Sequence, residues 1–402
     1  MYFFYIFSNY CSKKFKDSLY KDTTKGFLLI IFSVIAMILA NSPFDSVYFQ
    51  ILNFKIGTIS FQHFINDLLM VVFFLSIGLE IKREILEGEL SNWKKRILPG
   101  YAAIGGMIVP ALIYLYFNIN APVSLLKGWA IPTTTDIAFT LGVLSIIGSR
   151  IPSSLKVFLT ALTILDDVGA VIIIACFYTK NLNFFMLGGA IFIVAVLYLF
   201  NLYSVTRFYA YGLIGLVLCF FIGQAGIHTT IAGIIVAMSI PFKSHSDSIS
   251  HESFYRLEKR LKPWITFIIL PMFVFANAGI PLYDASFLTL TDPVTLGVMF
   301  GLFAGKQIGI FLFSFIIIRI GWANLPEKST WLLLYGISVL CGTGFTMSLF
   351  ITLQAFPDSL ILQNKIKIGI ILASITSIIL SAVILRLSKN REETPKTIQK
   401  AS

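Results

Sequence analysis

Two adjacent aspartates, Asp166 and Asp167, lie near the middle of a predominantly apolar segment that runs from Ser153 to Tyr178. That segment is long enough to cross a bilayer, because a hydrocarbon core of about 30 Å needs about 20 helical residues. Ionisable groups at that depth are costly, and they usually serve transport or proton transfer. Burial favours the neutral form of a carboxylate, and a second carboxylate beside it strengthens that preference. The pair is therefore a candidate for binding a cation and protons in alternation.

Three further residues could complete such a site. Thr135 offers a hydroxyl oxygen, Asp136 a third carboxylate and Lys306 a positive charge, and all three lie within apolar segments. A sodium ion prefers several oxygen ligands, as hard cations do. A buried lysine is unstable unless it pairs with a carboxylate. We therefore predict a sodium site made of carboxylates, a hydroxyl and water, with Lys306 as its countercharge.

The composition places these residues in a membrane protein that crosses the bilayer many times. Hydrophobic residues make up 57% of the 402, and charged residues make up 13%, against roughly 25% in soluble domains. The net charge of +11 could suggest a nucleic-acid binder, but the basic residues fall between apolar runs, so we expect no nucleic-acid partner. Twelve segments are long enough, or nearly so, to span the membrane as helices: 26–42, 60–81, 97–117, 125–147, 153–178, 183–202, 207–222, 226–241, 264–279, 294–319, 330–354 and 367–387.

The basic residues also predict the orientation. With a cytoplasmic N-terminus, 25 of the 31 lysines and arginines fall on the inside and 5 on the outside, and Lys306 lies within a span. A bias of this size supports twelve spans with both termini in the cytoplasm. We therefore expect a cytoplasmic N-terminal segment (1–25), one transmembrane domain (26–387) and a cytoplasmic tail (388–402).

Two of the twelve segments carry breaks at their midpoints. In the fourth, Pro132 is followed by three threonines with Thr134 in the middle, and in the eleventh Gly342 and Gly344 flank a threonine. Unwound backbone at membrane depth is tolerated only where it is buried in protein or lines a cavity. By the predicted orientation, spans 3–5 begin inside and spans 10–12 begin outside. The broken helices are then the middle members of two three-helix units of opposite orientation.

Seven runs of residues match one known family, in the same order along the chain. They lie at 66–67 through 78–80, 105–111, 128–132 through 135–139, 166–167, 275–279, 305–306 and 344–348. On these runs the chain resembles the NhaA-type sodium/proton antiporters of bacteria over nearly its whole length. Paired broken helices in inverted repeats, with a transport site at the midplane, are described for this very family among other secondary transporters.

The resemblance implies a fold and a division of the chain. We expect an all-α membrane protein in which two inverted three-helix repeats have discontinuous helices that cross at the midplane. The core bundle would be 97–178 and 294–387, and the remaining spans would form the interface part. The resemblance also implies a homodimer, surrounded by membrane lipid.

The resemblance further implies roles for the site residues. It pairs Lys306 with Asp166 and leaves Asp167 as the main ion ligand. It places Asp136 at the positive N-termini of the half-helices and Lys306 at their negative C-termini, as helix dipoles require. The implied protein is a secondary transporter of the bacterial inner membrane and not an enzyme. It would export Na+ or Li+ for more than one H+, be active toward alkaline pH, and need no cofactor besides the ions it carries.

The resemblance also implies that a second group of residues senses pH. The residues that match the family's positions for sensing cytoplasmic pH are Glu80, Arg83, Glu84 and Glu258. For the lysines and arginines in these segments, anchoring at the inner membrane surface is the preferred interpretation. His228 could respond to pH because its charge changes near neutrality, but as a lone histidine near a short helix end it is better explained by a local packing or capping role. Lys259 and Lys262 stand where the family has histidines, and exposed lysines do not titrate near neutrality. The pH dependence is therefore expected to be shifted or weaker.

Two segments outside the core are also interpreted. Val47 to Phe61 alternates apolar and polar residues, with Gly57-Thr58 at a turn, which predicts a small hairpin. The resemblance matches this hairpin to the family's dimerisation element. Asp67, in the second span, is interpreted as a structural hydrogen-bonding residue rather than as a transport residue.

Three other functions remain to be weighed. A sodium-coupled symporter of an organic anion would share the broken helices, but it needs a roomy polar cavity beside the ion site. An intramembrane aspartyl protease needs carboxylates from two helices, which the adjacent pair cannot supply, although Asp136 with Asp166 could. A passive channel is disfavoured because a buried lysine beside the carboxylates would oppose cation flow. Sodium flux without an organic solute separates the antiporter from the symporter.

Overall fold

The computed structural model describes residues 22–57, 59–147, 151–179, 182–242, 248–281 and 287–388. Most of both terminal segments therefore lies outside the described residues. The helices and the two short strands are α1 (Asp22–Ala40), α2 (Asp45–Asn53), β1 (Lys55–Ile56), β2 (Ile59–Ser60), α3 (Phe61–Leu86), α4 (Trp93–Phe117), α5 (123–133), α6 (Ile137–Ile147), α7 (Ser153–Phe177), α8 (Phe184–Leu202), α9 (Phe208–Gln224), α10 (Thr230–Ser239), α11 (248–278), α12 (Phe287–Leu290), α13 (Pro293–Arg319), α14 (Trp331–Leu340), α15 (Phe345–Ala355) and α16 (Leu360–Leu387).

The predicted all-α membrane architecture is confirmed, and each of the twelve predicted segments is helical. In the described part of the chain, eight helices are long and apolar enough to cross a membrane, or up to ten if each of two bent pairs is one span. The bent pairs are α1 with α2 and α14 with α15, while α9 and α10 are apolar but shorter. The count of twelve spans therefore stays a prediction.

Two helices begin well before the predicted spans. Helix α11 is continuous from residue 248, where the sequence predicted a start at 264, and α16 begins at Leu360 instead of 367. Hydropathy marks the part of a helix that lies in hydrocarbon. It does not register turns that continue the same helix beyond that part. Residues 248–263 of α11 are mostly polar, and Gln363, Asn364 and Lys365 interrupt the apolar residues at the start of α16.

The predicted hairpin over 47–61 is wrong in its first half, which is helix α2. Tyr48 and Leu52, four residues apart, are both buried, so they form one face of a helix rather than one face of a strand. Only β1 and β2 pair, antiparallel, with Lys55 opposite Ser60. Gly57 has a φ of +68°, which glycine adopts without strain. Thr58 lies outside the described residues.

Helix α4 supports the two helices that carry the candidate charges. A Cβ atom on Gly309 of α13 would lie 2.6 Å from the carbonyl carbon of Gly105, so the backbones of α4 and α13 meet there directly. Small residues allow such close approach between membrane helices. On α7, glycine at position 169 leaves room for the Met107 side chain of α4. Helix α4 thus holds α7 and α13 side by side, which brings Asp166 and Lys306 together.

Candidate ion-binding site

The two broken helices cross where both are unwound. Helix α5 ends at Thr133 and α6 begins at Ile137, because Pro132 removes a backbone donor and three β-branched residues follow. The second break lies between α14 and α15. The unwound segments touch each other: the Asp136 N–H donates to Thr343 O at 2.8 Å, and Ser348 Oγ donates to Ile131 O at 2.9 Å. The predicted crossing of the discontinuous helices is therefore confirmed.

Glycines in the second break allow a third helix to approach. A Cβ atom on Gly342 would lie 2.8 Å from Leu302 O, and one on Gly344 would lie 2.7 Å from the Leu302 side chain. Both distances are shorter than ordinary contacts. Helix α13, which carries Leu302 and Lys306, can therefore pack directly against the crossing. No larger residue fits at either position without a shift of α13.

Asp136 joins the two half-helices that begin at the crossing. Its Oδ1 accepts the N–H groups of Ala138 and Phe139 at 3.0 and 3.1 Å, at the start of α6. Its Oδ2 accepts the N–H and the hydroxyl of Thr346 at 2.9 and 2.5 Å, at the start of α15. Four donors and two positive helix ends thus surround one buried carboxylate, which stabilises its charge. Because every lone-pair direction is occupied, Asp136 is poorly placed to bind a further ion.

Asp166 and Lys306 form a fully buried ion pair. Lys306 Nζ lies 2.6 Å from Asp166 Oδ2, and neither side chain is exposed. The hydroxyl of Thr135 lies 2.8 Å from the same oxygen and 3.1 Å from Cys341 O. Removing one partner from such a pair would leave an uncompensated charge in a low-dielectric interior. For Lys306, the proximity to half-helix C-termini stays a prediction.

Several buried oxygens near the crossing lack partners. Within the described residues, no hydrogen bond reaches Oδ1 of Asp166, Oδ1 of Asp167 or the hydroxyls of Thr134 and Thr343. Asp167 is 3% exposed and lies next to the ion pair. Buried polar atoms are normally satisfied, since an unpaired one costs free energy. One oxygen of each adjacent carboxylate is thus available to a proton or to a hard cation.

The donor set suits sodium better than a transition metal. In the part of the chain that the structure describes, no group of three or more His, Cys, Asp and Glu residues is arranged to hold a metal ion. Transition-metal sites need imidazole or thiolate ligands, whereas hard cations accept carboxylate, hydroxyl, carbonyl and water oxygens. Asp166, Asp167 and Thr135 offer oxygens of the first two kinds.

Four of the residues predicted for pH sensing lie together at the ends of α3 and α11. The guanidinium of Arg83 lies 3.0 Å from Glu84, 3.8 Å from Glu80 and 3.3 Å from Glu258. Lys262 lies 3.0 Å from Glu258. Three carboxylates therefore share one arginine, with Lys262 as a second cation.

His228 is not part of that cluster. Its Nδ1 lies 2.7 Å from the Thr230 hydroxyl at the start of α10, where a capping side chain belongs. It lines a cavity of about 430 Å³ together with Asp67 and Gln363. His63, one turn before Asp67, contacts the Asp67 carboxylate at 3.1 Å. This contact with His63 agrees with a structural, hydrogen-bonding role for Asp67.

Two partners in the site were missed by the sequence reasoning. Thr346 donates twice to Asp136, and the carbonyl of Cys341 faces Thr135. A signal for Thr346 existed, because a threonine in the first turn after a break can bind a carboxylate that caps the same helix end. No signal could identify Cys341, since any residue supplies a carbonyl.

Comparison with known proteins gives the same family throughout the chain. The sequence profile of the family Na+/H+ antiporter 1 matches residues 16–385. Na(+)/H(+) antiporter NhaA 2 of Klebsiella pneumoniae is 52% identical over 351 residues, which cover 87% of this chain and 91% of that protein. Na(+)/H(+) antiporter NhaA of Nitrobacter hamburgensis is 48% identical over 377 residues (94% and 91%), and that of Caulobacter vibrioides is 48% identical over 379 (94% and 91%). The matched residues include both breaks, the adjacent aspartates and Lys306, and the chain belongs to the Na+/H+ antiporter 1 family.

Proposed function

We propose that this protein exports sodium ions from bacteria in exchange for protons, using the carboxylates at the crossing of the two broken helices. Its relatives are named Na(+)/H(+) antiporters. The observation that carries the proposal is the buried pair of Lys306 and Asp166 beside Asp167. In this arrangement the negative charge of the carboxylates can be compensated by either protons or a sodium ion. The bacterial inner membrane is the location that goes with this function.

The two aspartates have different parts in the proposed cycle. In the described state, Asp166 is held as an anion by Lys306 and Thr135. Asp167 has no cation against it within the described residues, and a bare buried carboxylate is strongly disfavoured. It would therefore carry either a proton or a sodium ion. Asp167 is the main ion ligand in this account, and Asp166 and Thr135 complete the site with water.

Sodium binding would release two protons. One proton leaves the carboxyl of Asp167 as that group takes the ion. Asp166 turns from Lys306 to the sodium ion, and the ammonium, left without its partner in a buried place, loses the second proton. Exchange of one Na+ for two H+ moves one net charge inward. A membrane potential of 100 mV then contributes about 2.3 kcal/mol per cycle toward sodium export.

Exchange also requires that the helices rearrange only when the site holds either its protons or a sodium ion. The unwound segments offer few backbone bonds, and Asp136 ties the starts of α6 and α15 to each other. An empty, charged site would resist passage through the low-dielectric barrier, whereas a protonated or sodium-bound site would not. Alternating access of one site to the two sides then gives obligatory exchange.

Activity toward alkaline pH is proposed to arise at the cluster around Arg83. The carboxylates of Glu80, Glu84 and Glu258 all lie within 4 Å of the Arg83 guanidinium, so like charges are brought together where α3 meets α11. Lys262 pairs with Glu258, and a lysine there keeps its charge through neutrality where the family's histidine would lose it. We therefore expect a shallower activation by pH. His228 would contribute to the pH response through the start of α10. Separately, the β1–β2 hairpin would contribute to the interface of a homodimer.

Ion selectivity in proteoliposomes tests the function. With a fluorescent pH dye and no organic solute, Na+ and Li+ are expected to drive proton flux, because both are small and hard and fit a site of few oxygens. Potassium is expected to be a poor substrate. The rate of exchange should rise when a membrane potential is imposed that is negative on the side corresponding to the cytoplasm. Robust potassium exchange, or a requirement for an organic anion, would contradict the proposal.

A further inference from the structure

The turn that precedes Lys306 is wider than an α-helical turn. Over residues 301–305, the backbone bonds reach back five residues, and the Lys306 N–H donates to Gly301 O. Such π-type turns occur mostly singly inside α-helices, frequently at functional sites. One additional residue in a turn rotates everything that follows by about 100°. The direction in which Lys306 points therefore depends on this turn.

One side of the wide turn is fixed by close packing. A Cβ atom on Gly301 would lie 2.8 Å from the ring of Pro132, and one on Gly305 would lie 2.7 Å from Pro110 Cα. The glycines thus let the turn press against α4 and against the first broken helix. This packing holds the turn in place, but it supplies no hydrogen bond.

The other side of the turn is held by a single amide. Gln307, 7% exposed, follows Lys306 directly. Its Nε2 donates to Phe303 O, a carbonyl within the wide turn, at 2.8 Å. Its Oε1 accepts the hydroxyl of Tyr335 at 2.7 Å. Both ends of the amide are therefore used, one on the turn and one on another helix.

Tyr335 connects this amide to the second break. It lies on α14, the half-helix that ends at the break. Six residues after Tyr335 and directly after the end of α14, the Cys341 carbonyl faces Thr135, which in turn contacts Asp166. Gln307 thus links two elements. One is the wide turn, which sets the direction of Lys306, and the other is α14, which ends next to the Cys341 carbonyl that contacts Thr135.

We propose that Gln307 is a positioning residue for ion exchange, which sets the direction of the Lys306 ammonium by holding the wide turn against α14. This inference rests on the proposed function. A structural role alone would require only that a buried polar group be satisfied. A positioning role requires more: the loss of either bond must change ion exchange itself, since the attraction between Lys306 and Asp166 depends on the distance between the ammonium and the carboxylate.

A double-mutant cycle tests the assignment. Gln307→Met keeps the volume and removes both bonds, Tyr335→Phe removes one hydroxyl, and both are combined in a third variant. In proteoliposomes, Gln307→Met is expected to move the pH of half-maximal exchange upward by roughly 0.5–1 unit, a three- to tenfold change in proton affinity. Tyr335→Phe is expected to cause a smaller shift in the same direction. Because the two side chains share one bond, the double variant should shift no further than Gln307→Met.

A matched control lies on the same helix. Ser314 of α13 is fully buried and, within the described residues, has no hydrogen-bond partner for its hydroxyl. Ser314→Ala should leave the pH profile unchanged. An unchanged profile in Gln307→Met, or shifts that add in the double variant, would overturn the positioning role. If the wild-type protein itself showed no sodium-driven flux, the proposed function would fail instead, so the two failures are distinguishable.

Discussion

We expect Asp167→Asn to reduce sodium-driven proton flux in proteoliposomes to the level of empty liposomes, while the protein still folds and inserts. Asparagine has nearly the same shape as aspartate but carries neither a negative charge nor an exchangeable acid proton. A buried amide also costs less than a buried carboxylate. The melting temperature in detergent should therefore be unchanged or higher. The loss would be one of function alone, measured by dye fluorescence after addition of sodium.

A second carboxylate serves as the control for this variant. Asp358 lies in the exposed turn between α15 and α16, outside the crossing. Asp358→Asn should retain exchange, because that carboxylate is in solvent and compensates no buried charge. Wild-type flux in Asp167→Asn would remove the assignment of this residue as the ion ligand.

Lys306→Ala is expected both to impair exchange and to destabilise the protein. Breaking a buried pair by removing one partner costs about 3–5 kcal/mol, because the remaining charge has no compensation. The chain contains a pair of the same geometry for comparison. Lys365 Nζ lies 2.6 Å from Asp292 Oδ2, but the two side chains are 31% and 20% exposed. Loss of this more exposed pair in Lys365→Ala should cost only about 0–1 kcal/mol.

The comparison isolates burial as the cause. The fall in melting temperature should be several times larger for Lys306→Ala than for Lys365→Ala. Replacing both partners, as Asp166→Asn with Lys306→Met, should recover much of the stability, since neither member of the pair is left as an uncompensated charge. Exchange should stay impaired in the double replacement. Equal melting of Lys306→Ala and the wild-type protein would argue against a buried ion pair in the folded state.

The sequence predicts the general fold well for a physical reason. Helices in a membrane must satisfy their own backbone, so the length of apolar runs, the uneven distribution of lysine and arginine among the connecting segments, and breaks at Pro132 and Gly342 have few alternative interpretations. The same constraint makes a buried aspartate pair and a buried lysine conspicuous. Local geometry outside the membrane core is less constrained. The apolar residues of the segment 47–53 are compatible with either a strand or a helix. The burial of Tyr48 and Leu52 on one face favours the helix that the structure shows.

Details of the site could not be predicted from the sequence. Which oxygen of Asp166 binds Lys306 depends on side-chain torsions that tertiary contacts fix. The wide turn before Lys306 depends on the fit of Gly301 and Gly305 against neighbouring prolines, because no local pattern specifies a five-residue bond. The bond between Gln307 and Tyr335 joins residues that are 28 positions apart. Such contacts follow from the packing of helices, which one sequence does not reveal.

The central claim is that sodium and protons compete for the same carboxylates. Proton release on sodium binding tests it most directly, with purified protein in weakly buffered detergent solution. Because ion binding requires deprotonated ligands, addition of sodium at neutral or mildly alkaline pH should release more than one proton per ion bound. Asp167→Asn should release none. Saturable sodium binding that frees no protons at any pH, with an affinity that does not change with pH, would contradict the account.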